Sequence, residues 1–219
     1  MENNHYEDDH DHDFDFTHTN TPLRPDAFDI SDDEKIARIE THFKQIMETL
    51  GLDLNDDSLK GTPHRVAKMY VKEMFWGLNP DNKPPVSHFK NKFRYNEMLL
   101  EKDIHFYTNC EHHFVPFFGT AHVAYIPNGK VIGLSKLNRI VEYFAKRPQV
   151  QERMTMQIAN ELKHILGTDN VAVIINAKHL CVASRGIKDN SSHTTTAEYS
   201  GEFDNDATRT ELHRLLALK

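Results

Sequence analysis

Two cysteines that lie far apart in the chain, each close to histidine, constrain the fold most. One is Cys110, in residues 110–113 (Cys-Glu-His-His), and the other is Cys181, in residues 179–181 (His-Leu-Cys). The chain has no other cysteine. Thiolate sulfur and imidazole nitrogen are ligands that zinc prefers in a tetrahedral shell. If both segments bind one metal, the fold must bring these two distant parts of the chain together.

The predicted ligands are Cys110 and His113, which form a Cys-x-x-His pair, and Cys181. No third cysteine is present to complete a structural site with four protein ligands. Three protein ligands and an open fourth position are typical of a catalytic zinc, whose bound water has a pKa of roughly 7. Because Cys110 and His113 are an odd number of residues apart, a regular strand would point them to opposite faces. We therefore expect a turn through Glu111 and His112.

Two other interpretations of the cysteines stay open at this point. A cysteine in a cytosolic protein is often a small buried hydrophobic residue, and Cys110 could also form a disulfide with Cys181. The N-terminus has neither the basic start nor the apolar core of a secretory signal peptide. Disulfides are rare in reducing compartments. The chemistry favours a metal site in a cytoplasmic protein.

The charge distribution separates an acidic tail from a neutral body. The formal net charge is −7, but residues 1–20 carry seven acidic side chains and no lysine or arginine, which leaves 26 acidic against 26 basic residues. A neutral body argues against a general nucleic-acid surface. No apolar run approaches the roughly 20 residues that span a bilayer. We expect a soluble protein with neither a nucleic-acid nor a membrane partner.

The N-terminal third divides into a tail and a helical lobe. Residues 1–28 are acidic, rich in histidine and poor in aliphatic side chains, which predicts a disordered tail, although its histidines could also bind metal loosely. A helical lobe is predicted over residues 29–92. Ser31 and Glu34 form a capping box for its first helix, and Thr62 is predicted to cap the second helix, with Pro63 in the first position.

Residues 93–219 are predicted to form the main domain, in which pairs of strands alternate with helices. Two helices lie between the strand pairs, the first capped by Ser135, and a short helix follows the last strand. This order predicts an α+β fold with antiparallel hairpins. The predicted strands are one ending at Cys110, His113–Ile126, Val171–Val182 and His193–Phe203. If the third strand is regular, its period of two points Ala177, His179 and Cys181 to the same face.

Charged side chains at two helix starts and after Cys181 are candidates for an anionic substrate. Ser135, Lys136 and Arg139 open a helix, where free backbone N–H groups and the helix dipole favour a phosphate. Arg185 could add a cation near the metal. Glu152, at the start of the next helix, offers two acceptor oxygens to the N–H donors of a guanine. The alternatives are a capped helix with solvated cations and a carboxylate that only complements the helix dipole.

Four blocks of the sequence together resemble GTP cyclohydrolase I. The resemblance covers about residue 31 to the C-terminus and leaves the acidic tail outside. The blocks are residues 110–114 (Cys-Glu-His-His-Phe), 133–139 (Gly-Leu-Ser-Lys-Leu-Asn-Arg), 147–153 (Arg-Pro-Gln-Val-Gln-Glu-Arg) and 179–186 (His-Leu-Cys-Val-Ala-Ser-Arg-Gly).

The resemblance implies a fold, an activity and an assembly. The fold is the tunnelling fold, an antiparallel four-stranded sheet with two helices between the strand pairs, preceded here by the helical lobe. The activity converts GTP and water to formate and 7,8-dihydroneopterin triphosphate, the entry to tetrahydrofolate and pterin synthesis. The assembly is a homodecameric torus in which subunits pair their sheets into a barrel.

The resemblance also implies a role for each residue of the site. It implies Zn²⁺ bound by Cys110, His113 and Cys181. Proton transfer falls to His112 and His179, with Ser135 close to the base. Guanine is held by Glu152, and the triphosphate is held by Lys136, Arg139, Arg185 and Arg65.

The sequence leaves two alternative functions. One is a structural zinc or nucleotide-sensing module that binds GTP without turnover, which an open metal position beside His112 and His179 disfavours. The other is a zinc hydrolase acting on another purine, such as a deaminase. The His-x-Glu and Pro-Cys-x-x-Cys signature of the zinc deaminases is missing from the sequence.

Overall fold

The computed structural model describes residues 20–218, so residues 1–19 of the predicted tail lie outside the described part. Helices and antiparallel strands alternate, which confirms the predicted α+β class. In chain order the elements are α1 (Asp32–Thr49), α2 (Thr62–Met69), β1 (His88–Lys90), β2 (Leu99–Cys110), β3 (Pro116–Tyr125), β4 (Lys130–Ile132), α3 (Leu134–Ala145), β5 (Pro148–Gln149), α4 (Gln151–Leu166), β6 (Val171–His179), α5 (Leu180–Ala183), β7 (Thr194–Tyr199) and α6 (Asp206–Ala217).

The main sheet has five strands in the order β5-β2-β3-β6-β7. Its four long strands are antiparallel, as predicted, and the two-residue β5 adds a short parallel pairing beside the end of β2. At the start of β3, Pro116 lies opposite Asn109 of β2, and Phe117 lies opposite His179 of β6. The ends of β2 and β6 therefore meet at the same end of the sheet, one on each side of β3.

The core lies between the sheet and the two helices that the sequence places between the strand pairs. α3 packs on β2 and α4 packs on β6, and their apolar stripes are buried. α6 covers part of the opposite face, where Leu212 is buried with Phe203 and Ile174. Elsewhere on that face the rings of Tyr107 and Phe118 stack at 5.3 Å, and Tyr107 is 64% exposed.

Helix starts follow the sequence in one case and differ from it in two. The Ser31 hydroxyl accepts a hydrogen bond from the Glu34 N–H at 3.2 Å, as predicted for the start of α1. The predicted caps Thr62 and Ser135 are wrong, because both residues already lie in their helices and Gly61 and Gly133 are the cap residues. α2 ends at Met69, and a π-helical turn and a 3₁₀ turn follow it.

The end of the predicted tail reaches the body at Thr21. The Thr21 hydroxyl accepts a hydrogen bond from the Arg147 guanidinium at 3.2 Å and another from the Gln157 amide at 3.3 Å. The boundaries at residues 28 and 92 stay predictions. None of the helices within residues 20–218 is long and apolar enough to cross a membrane.

Gly119 allows β3 and β6 to approach, so we expect Gly119→Ala to destabilise the protein. A methyl group there would clash with the Asn176 carbonyl oxygen and lie 2.7 Å from Cα of Ala177. Overpacking of this kind costs about 1–3 kcal/mol. Urea denaturation of both the variant and the parent protein measures this loss.

Gly133→Ala is the matched control. Its added methyl group would meet nothing closer than 3.9 Å, and the backbone φ of Gly133 is an ordinary −68°. Equal unfolding free energies for the two variants would contradict the close approach at Gly119.

Candidate functional site

Three predicted metal ligands come together where the ends of β2 and β6 meet. One ligand atom each from Cys110, His113 and Cys181 lies within 4.8 Å of the other two, and we call these residues the Cys–His–Cys group. Cys110 is buried, Cys181 is half-buried and His113 is exposed, so the group is open to solvent on one side. The arrangement suits a metal with three protein ligands and an accessible fourth position.

A tight turn after β2 brings Cys110 and His113 to the same side. The turn spans residues 111–113, as the spacing of the two ligands predicts. The Cys110 carbonyl accepts from the Phe114 N–H at 2.8 Å, and the Cys110 N–H donates to the Val115 carbonyl at 2.9 Å. Phe114 adopts a positive φ of 54°, an uncommon conformation for a bulky side chain. The predicted second strand consequently begins at Pro116 rather than at His113.

Cys181 lies on a single helical turn, not on a strand. β6 ends at His179, and Leu180–Ala183 form α5, so the predicted strand to Val182 is wrong. The Ser184 hydroxyl and N–H both donate to the Leu180 carbonyl, at 2.6 and 2.9 Å, which favours the turn over an extended backbone. His179 and Cys181 therefore do not share a strand face, and the helical turn brings the Cys181 sulfur to Cys110.

The two thiols form a donor pair that fits a divalent cation. Both cysteines are free, so the structure does not form the disulfide considered above. Burial raises the pKa of the Cys181 thiol, the adjacent Cys110 thiol raises it further, and Arg185 opposes the shift. A bound cation would reverse this effect because it stabilises both thiolates. Ligand atoms around a tetrahedral zinc lie about 3.5–3.8 Å apart, so closing the group onto zinc needs movements of at most about 1 Å.

The two histidines beside the group lie in different environments. His112 is largely exposed, with Nδ1 3.7 Å from the Cys110 sulfur. His179 is half-buried at the end of β6, and its ring stacks on Phe117 at 4.4 Å with an interplanar angle of 11°. Burial lowers the pKa of His179, and the carboxylate of Glu152 opposes that shift. Neither histidine belongs to the three-residue ligand set.

An ion pair ties the metal-binding turn to α4. The Arg153 guanidinium donates to both carboxylate oxygens of Glu111, at 2.6 and 3.1 Å. This contact lowers the pKa of Glu111. Neither Glu111 nor Arg153 has a role predicted from the sequence, because their only signal there is their place in the blocks that resemble the family. The pair connects the turn that carries His113 to the helix that carries Glu152.

Two predicted substrate-binding residues lie near the Cys–His–Cys group. Glu152 is exposed in the first turn of α4, close enough for its charge to act on His179. Arg185 is exposed just after α5, close enough for its charge to act on Cys181. One negative and one positive charge thus border the open side of the group.

The predicted phosphate-binding residues of α3 do not join the group within one chain. Ser135, Lys136 and Arg139 lie in the first two turns of α3. The Asn138 amide in the same turns donates to Glu101, near the start of β2, at 3.5 Å. At roughly 3.3 Å per residue, Glu101 lies about 30 Å along β2 from Cys110. Ser135, Lys136 and Arg139, which we call the α3 cluster, therefore lie towards the start of β2, whereas the metal ligands lie at its end.

Arg65 also lies outside the Cys–His–Cys group. It lies in the first turns of α2, where its guanidinium donates to the Ser58 carbonyl at 3.2 Å and to the Thr62 hydroxyl at 3.0 Å. These contacts hold it against the loop that precedes α2. Its predicted contact with triphosphate stays a prediction.

Comparisons with known proteins agree with these observations. The family model of GTP cyclohydrolase I matches residues 39–217. A GTP cyclohydrolase 1 of Flavobacterium johnsoniae is 62% identical over 190 residues, which cover 87% of this chain and 85% of the relative. Those of Aeromonas salmonicida (84% of this chain, 83% of the relative) and Vibrio parahaemolyticus (89% and 90%) are 55% and 54% identical.

A solved structure of an archaeosine synthase, QueF-Like in the apo form, shares 17% sequence identity with the chain. It covers 48% of this chain and 93% of its own length, with a TM-score of 0.37, too low to support any inference about function. The family match and the three relatives each cover more than four-fifths of the sequence, including every residue of the Cys–His–Cys group. The chain belongs to the GTP cyclohydrolase I family.

Proposed function

We propose that this GTP cyclohydrolase uses zinc held by Cys110, His113 and Cys181 to convert GTP and water into formate and 7,8-dihydroneopterin triphosphate. The product is the entry to tetrahydrofolate and pterin biosynthesis. The observation that carries the proposal is the convergence of these three ligand atoms within 4.8 Å, at a position open to solvent. Zinc in such a site supplies a Lewis acid that activates water for hydrolysis.

His112 and His179 are the proposed proton-transfer groups. Opening the imidazole ring of guanine requires a proton at a ring nitrogen, and the later sugar rearrangement requires further proton transfers. Imidazole suits these steps because its ordinary pKa lies near working pH. Both rings lie beside the ligand set without belonging to it, and His112 is 3.7 Å from the Cys110 sulfur.

Glu152 is the proposed contact of the guanine edge. Its carboxylate can accept two N–H donors at once, and it lies in the exposed first turn of α4 near His179. Arg185, on the other border of the Cys–His–Cys group, is the proposed phosphate contact of the same subunit. Lys136, Arg139 and Arg65 would bind the rest of the triphosphate.

The α3 cluster supports a homo-oligomer with active sites between subunits. Ser135, Lys136 and Arg139 lie in the first two turns of α3, whose Asn138 contacts Glu101 near the start of β2. The metal ligands of the same chain lie at the other end of β2, so a neighbouring subunit would supply the α3 cluster. The stacked pair of exposed Tyr107 and half-buried Phe118 suits a sheet face that pairs with another copy. We propose a decamer built from tunnelling-fold barrels. Two free thiols suit the reducing cytoplasm.

Loss of a metal ligand is expected to remove zinc and turnover together. Cys110→Ser, Cys181→Ser and His113→Ala should each lower zinc from about one ion per chain to a small fraction, because a catalytic site has only three protein ligands. Metal analysis of the purified proteins and formate release measure both effects. His164→Ala, which changes an exposed histidine of α4, is the control and should keep both. Full zinc in a ligand variant would refute the ligand set.

His112→Ser and His179→Ala are expected to keep zinc and to bind GTP within about tenfold of the parent protein, while turnover falls roughly 10²–10⁴-fold, the usual contribution of a general acid or base. A variant that opens the ring but cannot finish should accumulate a formylated pyrimidine with the mass of GTP plus one water. Zinc analysis, formate release and mass spectrometry of one preparation measure these effects.

Two results would contradict this assignment. Full turnover in both histidine variants would exclude proton transfer by these residues. Zinc loss with a proportionate loss of turnover would instead make the two imidazoles supports for the metal ligands, whose removal typically weakens metal binding 10–100-fold.

Co-assembly tests the shared active site. Lys136→Ala and Cys181→Ser proteins should each be nearly inactive alone. In an oligomer assembled at random from equal amounts of both, about a quarter of the sites would combine an intact α3 cluster with intact metal ligands. Formate release by the co-expressed protein should recover accordingly. A mixture that co-assembles on sizing with light scattering yet stays inactive would place both groups in one subunit.

A further inference from the structure

The buried amide of Gln151 contacts His179 and is not explained by metal or substrate binding. Gln151 is 2% exposed at the first position of α4. Its Nε2 lies 3.1 Å from the Ile175 carbonyl oxygen and 3.0 Å from the Thr194 carbonyl oxygen. Its Oε1 lies 2.8 Å from Nε2 of His179. The amide therefore joins β6 and β7 to the proposed proton-transfer histidine.

These partners fix which end of the amide faces the histidine. Backbone carbonyl oxygens only accept hydrogen bonds, so the nitrogen of Gln151, and not its oxygen, must face Ile175 and Thr194. The Thr196 hydroxyl, at 3.1 Å, accepts from the same nitrogen. Oε1 is left facing His179. Because an amide oxygen cannot donate, Nε2 of His179 must carry the proton in this hydrogen bond.

We propose that Gln151 is a positioning residue that fixes the tautomer and ring orientation of His179. With Nε2 protonated and held, Nδ1 is the nitrogen of His179 left to exchange a proton with the substrate. The stack on Phe117 already holds the plane of the ring at 4.4 Å, but stacking does not distinguish the ring from its flipped form. The hydrogen bond to Gln151 does, because a flipped ring would present carbon to Oε1. The inference rests on the proposed function of His179.

The amide is itself held rigidly, which a positioning residue requires. Ile175 and Thr194 belong to neighbouring strands of the main sheet, so the nitrogen of Gln151 is fixed relative to β6 and β7. Thr196, its third partner, also shares a 2.7 Å hydrogen bond with the Thr155 hydroxyl of α4. The acceptor for His179 is thus set by the sheet and by two turns of α4.

Gln151→Met tests the inference because it keeps the side-chain length and removes the acceptor. We expect kcat to fall about 10–100-fold, as for other groups that orient a reactive residue. KM for GTP and zinc content should stay within about threefold, since neither ligands nor substrate contacts change. The decisive measurement is the same substitution in a His179→Ala background, where it should change kcat less than about twofold, because the residue that it positions is gone.

Gln149→Met is the matched control. Gln149 is also a buried glutamine, with its amide nitrogen 2.7 Å from the Phe144 carbonyl and 2.9 Å from the Gln157 side-chain oxygen. Its loss should lower the stability of the fold and leave the dependence of turnover on His179 unchanged. If the fold-losses of kcat in Gln151→Met and His179→Ala multiply in the double variant, Gln151 acts independently of His179. That result would show a merely structural role and overturn the inference. An unchanged kcat in Gln151→Met would overturn it as well.

Gln151→Glu provides a second variant should the methionine protein fail to fold. A protonated glutamate side chain still offers an oxygen to Nε2 of His179 and donates its O–H to one of the two carbonyls. At equal folded fraction, Gln151→Glu should have a higher kcat than Gln151→Met. A lower kcat in Gln151→Glu than in Gln151→Met would count against the inference. Full turnover in His179→Ala would refute both the role of His179 and the inference. Losses of kcat that multiply in the double variant would refute the inference alone.

Discussion

The pairing of β3 with both β2 and β6 is the constraint on which the site depends. It places the end of β2 and the end of β6 on either side of the start of β3, and the two cysteines follow from that register. Gly119 permits it, because any side chain there would press against the backbone of β6. This register also brings two thiols close together. Burial and the neighbouring Cys110 raise the pKa of Cys181. A bound cation would offset the repulsion between the two ionised thiols.

The sequence predicts those features that local chemistry decides. The turn through residues 111–113 follows from the odd spacing of two metal ligands, and the cap at Ser31 follows from its own hydroxyl. The strand predicted to Val182 fails because two hydrogen bonds from Ser184 to the Leu180 carbonyl bend the chain after His179. The hydrophobic pattern of the sequence does not show these hydrogen bonds. The β-branched residues up to Val182 therefore favour a strand when the sequence is considered alone.

The metal ligands can be predicted because cysteine is rare in this chain and its chemistry is specific. The position of the α3 cluster cannot be predicted in the same way. The resemblance places Lys136 and the Cys–His–Cys group in one site, but it does not show that one chain holds them towards opposite ends of β2. The contacts of α3 within a single chain reveal this separation, which is the observation behind the proposed second subunit. Roles for Arg153 and Gln151 also need tertiary structure, because each depends on a partner far away in the sequence.

For the proposed proton-transfer roles of His112 and His179, the contrast between their environments predicts that they serve different steps. His112 is largely exposed, so its ring can exchange protons with water between turnovers. His179 is held by a stacked phenyl ring and by one amide acceptor, so one nitrogen keeps a fixed direction. Opening a purine ring and rearranging a sugar place the proton at different atoms. In the proposed mechanism, an exposed ring that exchanges protons with solvent and a fixed ring that aims one nitrogen would divide that work between them.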